Sequence, residues 1–251
     1  MKKVVIIPAR LNSSRLPNKV LLDLRGKTVV QRVFEQCKKA QNIDDVYIAT
    51  DSLEVKENCQ KFTKNIIMTK SSHQSGTDRI AEAVANIECD VVVNVQGDEP
   101  FIDPVLIEKI ANEFANKDVK MASAMHQLKM VDDLKNPNVV KVVIDNQNNA
   151  LYFSRAMIPY SRDGIKDLMD LSYIPQSLTF YRHLGIYAYT KDFLLTYAML
   201  PESYLEQVEK LEQLRVLENG YKIRMVETEH NSIGIDSIED YHHALEILDK
   251  I

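Results

Sequence analysis

Apolar and polar positions alternate between two rhythms along the first half of the chain. Val4-Val5-Ile6-Ile7 is an unbroken apolar run, as expected of a strand covered on both faces. Residues 28–40 then carry Val30, Val33, Phe34 and Cys37 at helical spacing. A second run, Val46-Tyr47-Ile48-Ala49, precedes a short helical stretch through Val55 and Cys59. Ile66-Ile67-Met68 is a third short run, followed by a helical pattern over 76–88 through Ile80, Ala83, Val84 and Ile87. Val91-Val92-Val93-Asn94-Val95 is a fourth, and Pro104 suits the first turn of the next helix. This alternation predicts an α/β fold, with a mostly parallel sheet and helices on both faces.

Beyond residue 118 the pattern loosens. Segments 121–127, 139–145, 151–153 and 184–189 read as strands. Leu205, Val208, Leu211, Leu214 and Leu217 predict one helix, with Gly220 at its C-cap. Residues 237–251 predict a terminal helix with Ser237 as N-cap and Asp240 three positions on, close to a capping box. That helix is expected to pack back on the sheet through Ile238, Leu245 and Leu248. Residues 160–180 show no periodicity and are expected to form a mobile loop.

Charge and cysteine usage narrow the class. The net charge is −5, with 31 Lys+Arg against 36 Asp+Glu, which argues against a nucleic-acid binder. Cys37, Cys59 and Cys89 are far apart and form no C-x-x-C pair, as suits a reducing cytoplasm. The apolar run after Lys2 and Lys3 stops at Pro8, too soon for a signal-peptide core or a membrane span.

Candidate chemistry begins directly after the first strand. Pro8-Ala9-Arg10-Leu11-Asn12-Ser13-Ser14-Arg15-Leu16-Pro17-Asn18-Lys19 brings Arg10, Arg15 and Lys19 to the end of the sheet where open α/β folds bind ligands. Together these cations can balance much of the charge of a triphosphate; a solvated basic loop is the plainer reading. His73-Gln74-Ser75-Gly76-Thr77-Asp78-Arg79 lies at a helix start, where Ser75 and Thr77 are either simple caps or flank free N–H groups that receive a polar ligand. Asn94-Val95-Gln96-Gly97-Asp98-Glu99-Pro100 ends the fourth strand. Asp98 at that tip is either a turn residue or, beside a phosphate loop, a magnesium ligand. No G-x-G-x-x-G follows the first strand, which excludes the usual dinucleotide fingerprint.

These strings resemble the 3-deoxy-manno-octulosonate cytidylyltransferase (CMP-Kdo synthetase) family from residue 4 to about residue 240. Further matching strings are Tyr152-Phe153-Ser154-Arg155, Arg182-His183-Leu184-Gly185-Ile186-Tyr187, Leu211-Glu212-Gln213-Leu214-Arg215 and Gly234-Ile235-Asp236. Asn18 and Val20 stand where relatives carry Gly and Pro; Asn is the non-glycine residue best able to adopt positive φ, so the turn can survive. The resemblance implies a Rossmann-like nucleotide-diphospho-sugar transferase fold in one domain, 1–251. Within it lie a nucleotide-binding half (about 1–118), a smaller strand-rich sugar-binding and dimerisation lobe (about 119–190) and a return to the core (about 191–251). It implies CTP held by Ala9, Arg10, Arg15, Lys19, His73, Ser75, Arg79, Gln96 and Gly97. It places the acidic sugar Kdo on Arg155, His183, Tyr187, Glu212 and Gln213, and Mg²⁺ on Asp98 and Asp236. Arg10, Lys19, Asp98 and Asp236 are the implied catalytic set, in a cytoplasmic homodimer serving lipopolysaccharide biosynthesis. Acylneuraminate and 8-amino-Kdo cytidylyltransferases remain alternatives. A glycosyltransferase is disfavoured by the missing D-x-D, and a non-catalytic nucleotide sensor by the retention of Lys19, Asp98 and Asp236.

Overall fold

The computed structural model describes residues 1–11, 15–73, 75–162, 168, 170–230 and 233–250. The apolar runs become parallel strands: β1 (Lys3–Pro8) lies between β2 (Asp45–Thr50) and β4 (Val91–Asn94), and β3 (Ile66–Met68) adds to β2. Val4 to Ile7 have no solvent exposure, because helices cover both faces. On one side pack α1 (Val29–Cys37), α2 (Leu53–Cys59) and α4 (Pro104–Asn112); on the other packs α3 (Gly76–Val84). Side chains start these helices where the sequence places caps. Thr28 accepts from Gln31 N–H, Ser52 from Val55 N–H, Ser75 from Asp78 N–H and Asp103 from Val105 N–H, with Pro104 in the first turn.

The second half joins the same sheet rather than forming a separate one. β8 (Tyr181–Thr190) runs antiparallel between β4 and β5 (Met121–Gln127), and β9 (Arg224–Glu227) closes the edge parallel to β5. The order among the described residues is β3-β2-β1-β4-β8-β5-β9. Only the hairpin of β6 (Lys141–Ile144) and β7 (Ala150–Ser154) stands off this path, joined at the start of β8. The segment expected to be a strand-rich lobe, 119–190, therefore contributes β5 and β8 to the main sheet. The rest of it gathers α5 (Val131–Lys135) and parts of 160–180 around a satellite core of Leu128, Leu134, Leu168 and Phe180. Described parts of the segment expected to be a mobile loop are instead packed: Ile174 N–H bonds Lys129 O at 2.8 Å, Tyr173 bridges Met130, and Leu168 and Phe180 are buried. Residues 163–167 and 169 lie outside the described residues.

Two further expectations change. The single helix through Leu205–Leu217 is two, α7 (Tyr204–Glu209) and α8 (Leu214–Glu218), preceded by α6 (Lys191–Met199). Lys210 adopts a left-handed backbone, φ 53°, and ends α7, so the apolar spacing spans a break that periodicity alone does not reveal. The terminal helix α9 (Ile238–Leu248) has the expected capping box between Ser237 and Asp240. It docks on Leu24 and Val29 through Ile235, Ala244, Leu245 and Leu248, whereas Ile238 points to solvent. Its partner is the segment after the cationic residues that follow β1, rather than the sheet.

Asn18 does adopt the left-handed conformation, φ 56° and ψ 22°, immediately before a 3₁₀ turn at Lys19–Leu21. Asn18→Gly is expected to preserve melting temperature and turnover. Asn18→Val, with a β-branched side chain at positive φ, is expected to cost about 1–2 kcal/mol and to displace Lys19. Thermal melts of the three proteins check this.

Candidate active site

At the carboxyl ends of β1 and β4 opens a cavity of about 560 Å³. It is lined by the cations Arg10, Arg15, Lys19 and Arg79 and by the carboxylates Asp98, Asp236 and Glu212. Gly97 permits this closeness: a Cβ there would lie 2.6 Å from Pro8 O, so only glycine lets the tip of β4 touch the end of β1. Asp236 reaches the same point through main chain. Ile235 N–H donates to Asp98 O at 2.9 Å, pinning the segment before α9 against the tip of β4.

The two carboxylates meet on one ammonium. Lys19 Nζ donates to Asp236 Oδ1 at 2.8 Å and to Asp98 Oδ2, while Arg15 reaches Asp236 Oδ2 at 2.9 Å. Burial pulls the Lys19 pKa down, but Asp98 and Asp236 outweigh it and hold the group above its ordinary value. Lys19 is therefore fully charged at neutral pH.

On the opposite wall Ser75 caps α3 and also lines the cavity, so the two readings of that serine coexist. Arg79, almost fully buried, is held by Thr69 and by Asp51 at 2.8 Å. Gln96 donates to Gly185 O at 3.3 Å. Burial raises the Glu212 pKa, against the pull of the Thr77 hydroxyl, Arg215 and the Ser75 hydroxyl. Arg215 itself forms a buried fork with Glu206, at 2.6 and 2.7 Å, which anchors the Leu211–Arg215 turn.

Tyr187 lines the cavity and leads into a buried relay. Its hydroxyl donates to Gln213 Oε1 at 3.3 Å, Gln213 Nε2 faces His183 Nδ1 at 3.5 Å, and His183 Nε2 meets Ser123 Oγ at 2.9 Å. Ser123 Oγ in turn donates to Ile186 O at 2.8 Å. The directions agree only if His183 is neutral with its proton on Nε2. Burial, with nearby Arg182, lowers its pKa to about 3. His183 and Gln213 thus stand behind Tyr187 rather than on the cavity wall.

Three other expected site residues lie elsewhere. Arg155 is committed to main-chain carbonyls, Glu209 O at 2.7 Å, Pro137 O at 3.0 Å and Lys210 O at 3.4 Å. It braces the break between α7 and α8, and its guanidinium is not presented to the cavity. His73 pairs with Glu82 of α3, which also accepts from Lys70 N–H at 2.9 Å, so it shapes the loop leading to Ser75. Ala9 is buried, donating to Ala49 O at 2.8 Å. Gln74, Asn12, Ser13 and Ser14 lie outside the described residues. Two further residues, each over nine-tenths buried, line the cavity: Thr77, expected as a helix cap or the flank of a polar-ligand site, and Asn94, to which the sequence assigned no role. A lone Asn inside the run Val91–Val95 was the available signal for the second.

The parallel sheet with a cationic loop after β1 and carboxylates at the tip of β4 defines a nucleotidyltransferase-type site. Residues 4–223 match the cytidylyltransferase family. The chain is 45% identical over 251 residues, covering all of it and 99% of the relative, to a 3-deoxy-manno-octulosonate cytidylyltransferase of Geobacter metallireducens. It is 48% identical over 241 residues, 96% of each chain, to the enzyme of that name in Syntrophotalea carbinolica. A solved CMP:2-keto-3-deoxy-manno-octonic acid synthetase complexed with CTP superposes with a TM-score of 0.91 at 37% identity, covering 100% of this chain and 99% of that one. The chain belongs to the 3-deoxy-manno-octulosonate cytidylyltransferase family.

Because His183 is neutral when buried but basic when unfolded, the folded state binds fewer protons between about pH 6.5 and about pH 3. Stability from this site is full above the unfolded value and falls as pH drops through that window. Melting temperature is expected to decline more steeply from pH 6.5 to 4 in the wild type than in His183→Gln. Separately, Arg155→Ala is expected to cost about 1–3 kcal/mol through the lost carbonyl contacts, measured by denaturant unfolding.

Proposed function

We propose that this chain transfers the CMP unit of CTP to the anomeric hydroxyl of Kdo, giving CMP-Kdo and pyrophosphate. The carrying observation is the convergence of Arg10, Arg15 and Lys19 with Asp98 and Asp236 in one cavity, in a chain similar over its whole length to proteins of that name. The hydroxyl oxygen forms a bond to the α-phosphorus while the bond to the bridging oxygen breaks. Catalysis of this kind is mostly positioning and charge stabilisation. Arg10, Arg15 and Lys19 offset charge on the triphosphate and on departing pyrophosphate. Ser75, Arg79 and Gln96 surround the cytidine. Tyr187 and Glu212 face the sugar, with Gln213 and His183 orienting Tyr187 from behind.

The donor set fits magnesium. Two carboxylates already converge on one cation, the Lys19 ammonium, and both offer hard oxygens. Asp98 and Asp236 would hold the ion, with phosphate oxygens and water as its other ligands, as Mg²⁺ prefers. When bound, the ion supplies charge neutralisation at the α-phosphate and acidifies the attacking hydroxyl.

The proposal extends to setting and assembly. CTP and an acidic sugar are cytoplasmic substrates, and no helix among the described residues is long and apolar enough to cross a membrane. Leu151 on the β6–β7 hairpin and Leu171 and Tyr173 near the satellite core are exposed, apolar surface that a second copy would cover. CMP-Kdo made there would feed lipopolysaccharide synthesis.

Pyrophosphate release tests the substrate assignment. Kdo is expected to give the highest kcat/KM among Kdo, 8-amino-Kdo and an acylneuraminate. UTP is expected to fall at least about fivefold below CTP, since one unpaired buried polar group costs about 1–3 kcal/mol. Equal rates with UTP, or preference for the acylneuraminate, would overturn it. For the carboxylate pair, Asp236→Asn is expected to lower turnover by orders of magnitude while moving the melting temperature by no more than about 3 °C. Full activity at low millimolar magnesium would remove Asp236 from the site.

A further inference from the structure

We infer that in the nucleotide-free protein Lys19 occupies the cation position between Asp98 and Asp236, and that a divalent metal enters there only as a triphosphate draws the ammonium away. This rests on the reading of Asp98 and Asp236 as metal ligands. Its own evidence is the arrangement of charges. Lys19 Nζ bonds both carboxylates at once, and its side chain is 15% exposed, whereas Arg15, the other cation on Asp236, is 69% exposed and so strongly screened. Two carboxylates are thus neutralised by one largely buried ammonium and one solvated guanidinium. A metal at the same oxygens would lie against Lys19, and the repulsion opposes its entry.

The parts that hold the carboxylates are rigid, and the part that moves is not. Asp98 and Asp236 are fixed by the Ile235–Asp98 main-chain bond and by Asp240, which accepts from Asp236 N–H at 3.0 Å. The backbone of Lys19 is likewise set, by Asn18 N–H to Leu11 O at 3.2 Å and Leu21 N–H to Asn18 O at 2.9 Å. Only the flexible four-carbon stem is free to swing. Arg10 and Arg15, lining the same cavity, mark where phosphates lie, so the ammonium has a second anionic partner once the nucleotide arrives. The exchange leaves every charge partnered: Lys19 passes to phosphate and the metal takes the carboxylates. Metal and nucleotide then bind with positive coupling, each raising affinity for the other by the same factor. Free divalent cation is kept out of the empty site.

The test uses nucleotide-free protein and Mn²⁺, followed by the loss of the free-ion signal in electron paramagnetic resonance. Lys19→Met is expected to bind Mn²⁺ at least tenfold more tightly than the wild type. The gain is expected to vanish in Lys19→Met/Asp98→Asn, which locates it at the carboxylate pair. Lys19→Gln, closer in polarity, is expected to repeat the gain and serves if the methionine variant does not fold. Equal Mn²⁺ affinity in wild type and folded Lys19 variants would overturn the inference, as would a gain that survives Asp98→Asn. If that happens while Asp236→Asn still abolishes turnover, the assignment of Lys19 alone is lost. If Asp236→Asn is fully active, the metal reading falls with it.

Discussion

One main-chain hydrogen bond, Ile235 N–H to Asp98 O, governs the rest of the site. Asp98 is fixed by β4 and by Gly97, which lets the strand tip touch Pro8. Asp236 arrives from the far end of the chain. The bond aligns the two segments so that both carboxylates point at one cation-sized position. Behind it, Ile235 and Ala244 are buried against Leu24 and Val29, so hydrophobic packing of α9 holds the register. Tyr241 adds a bond to Asp23 O at 2.7 Å. The polar geometry at the tip is thus maintained by an apolar seam several residues away, where loss of packing is felt strongly.

The opposite wall follows a different logic. Glu212 sits on the turn that the Arg215–Glu206 fork anchors, but no charge pair among the described residues positions Tyr187. A relay of neutral groups does, running from Tyr187 through Gln213 and His183 to Ser123. Ser123 lies on β5 and His183 on β8, joined where the ladder shifts register between Ser123 and Ala124. Buried polar chains of this kind are favourable only when every member is satisfied, and here the directions close on the Ile186 carbonyl. Arg155 serves the same wall from outside, bracing the left-handed break at Lys210 that precedes Glu212.

The exchange inferred for Lys19 would let a basic segment sit beside an acidic pair without a permanent salt bridge. Lys19 reaches the carboxylates through a long flexible stem, while its backbone is held by the positive-φ turn at Asn18. The Asn18–Lys19 turn would therefore keep its place whichever anion the ammonium served. An Asn at this position preserves the turn because its short polar side chain tolerates the left-handed region.

Much of this was legible from local sequence. The apolar runs of β1 to β4, the caps at Thr28, Ser75 and Ser237, and the cationic loop at Arg10, Arg15 and Lys19 depend on neighbours a few positions apart, which a sequence displays directly. The family strings did the same for Asp98, Asp236, Tyr187 and Glu212. What the sequence could not display were choices settled by distant partners. The α7–α8 break is hidden because Lys210 carries no glycine-like signature, and its left-handed backbone is held by Arg155, just past the end of β7. Arg155 reads as a sugar ligand because a guanidinium suits a carboxylate, yet three carbonyls from other segments claim it. His183 reads as a contact residue, and only burial between Phe153, Ser123 and Gln213 makes it a neutral strut. The sequence by itself determined which groups are available and which elements carry them. The tertiary structure decided which of those groups face the cavity, because hydrogen-bonding capacity is consumed by whichever partner the packed fold brings within reach.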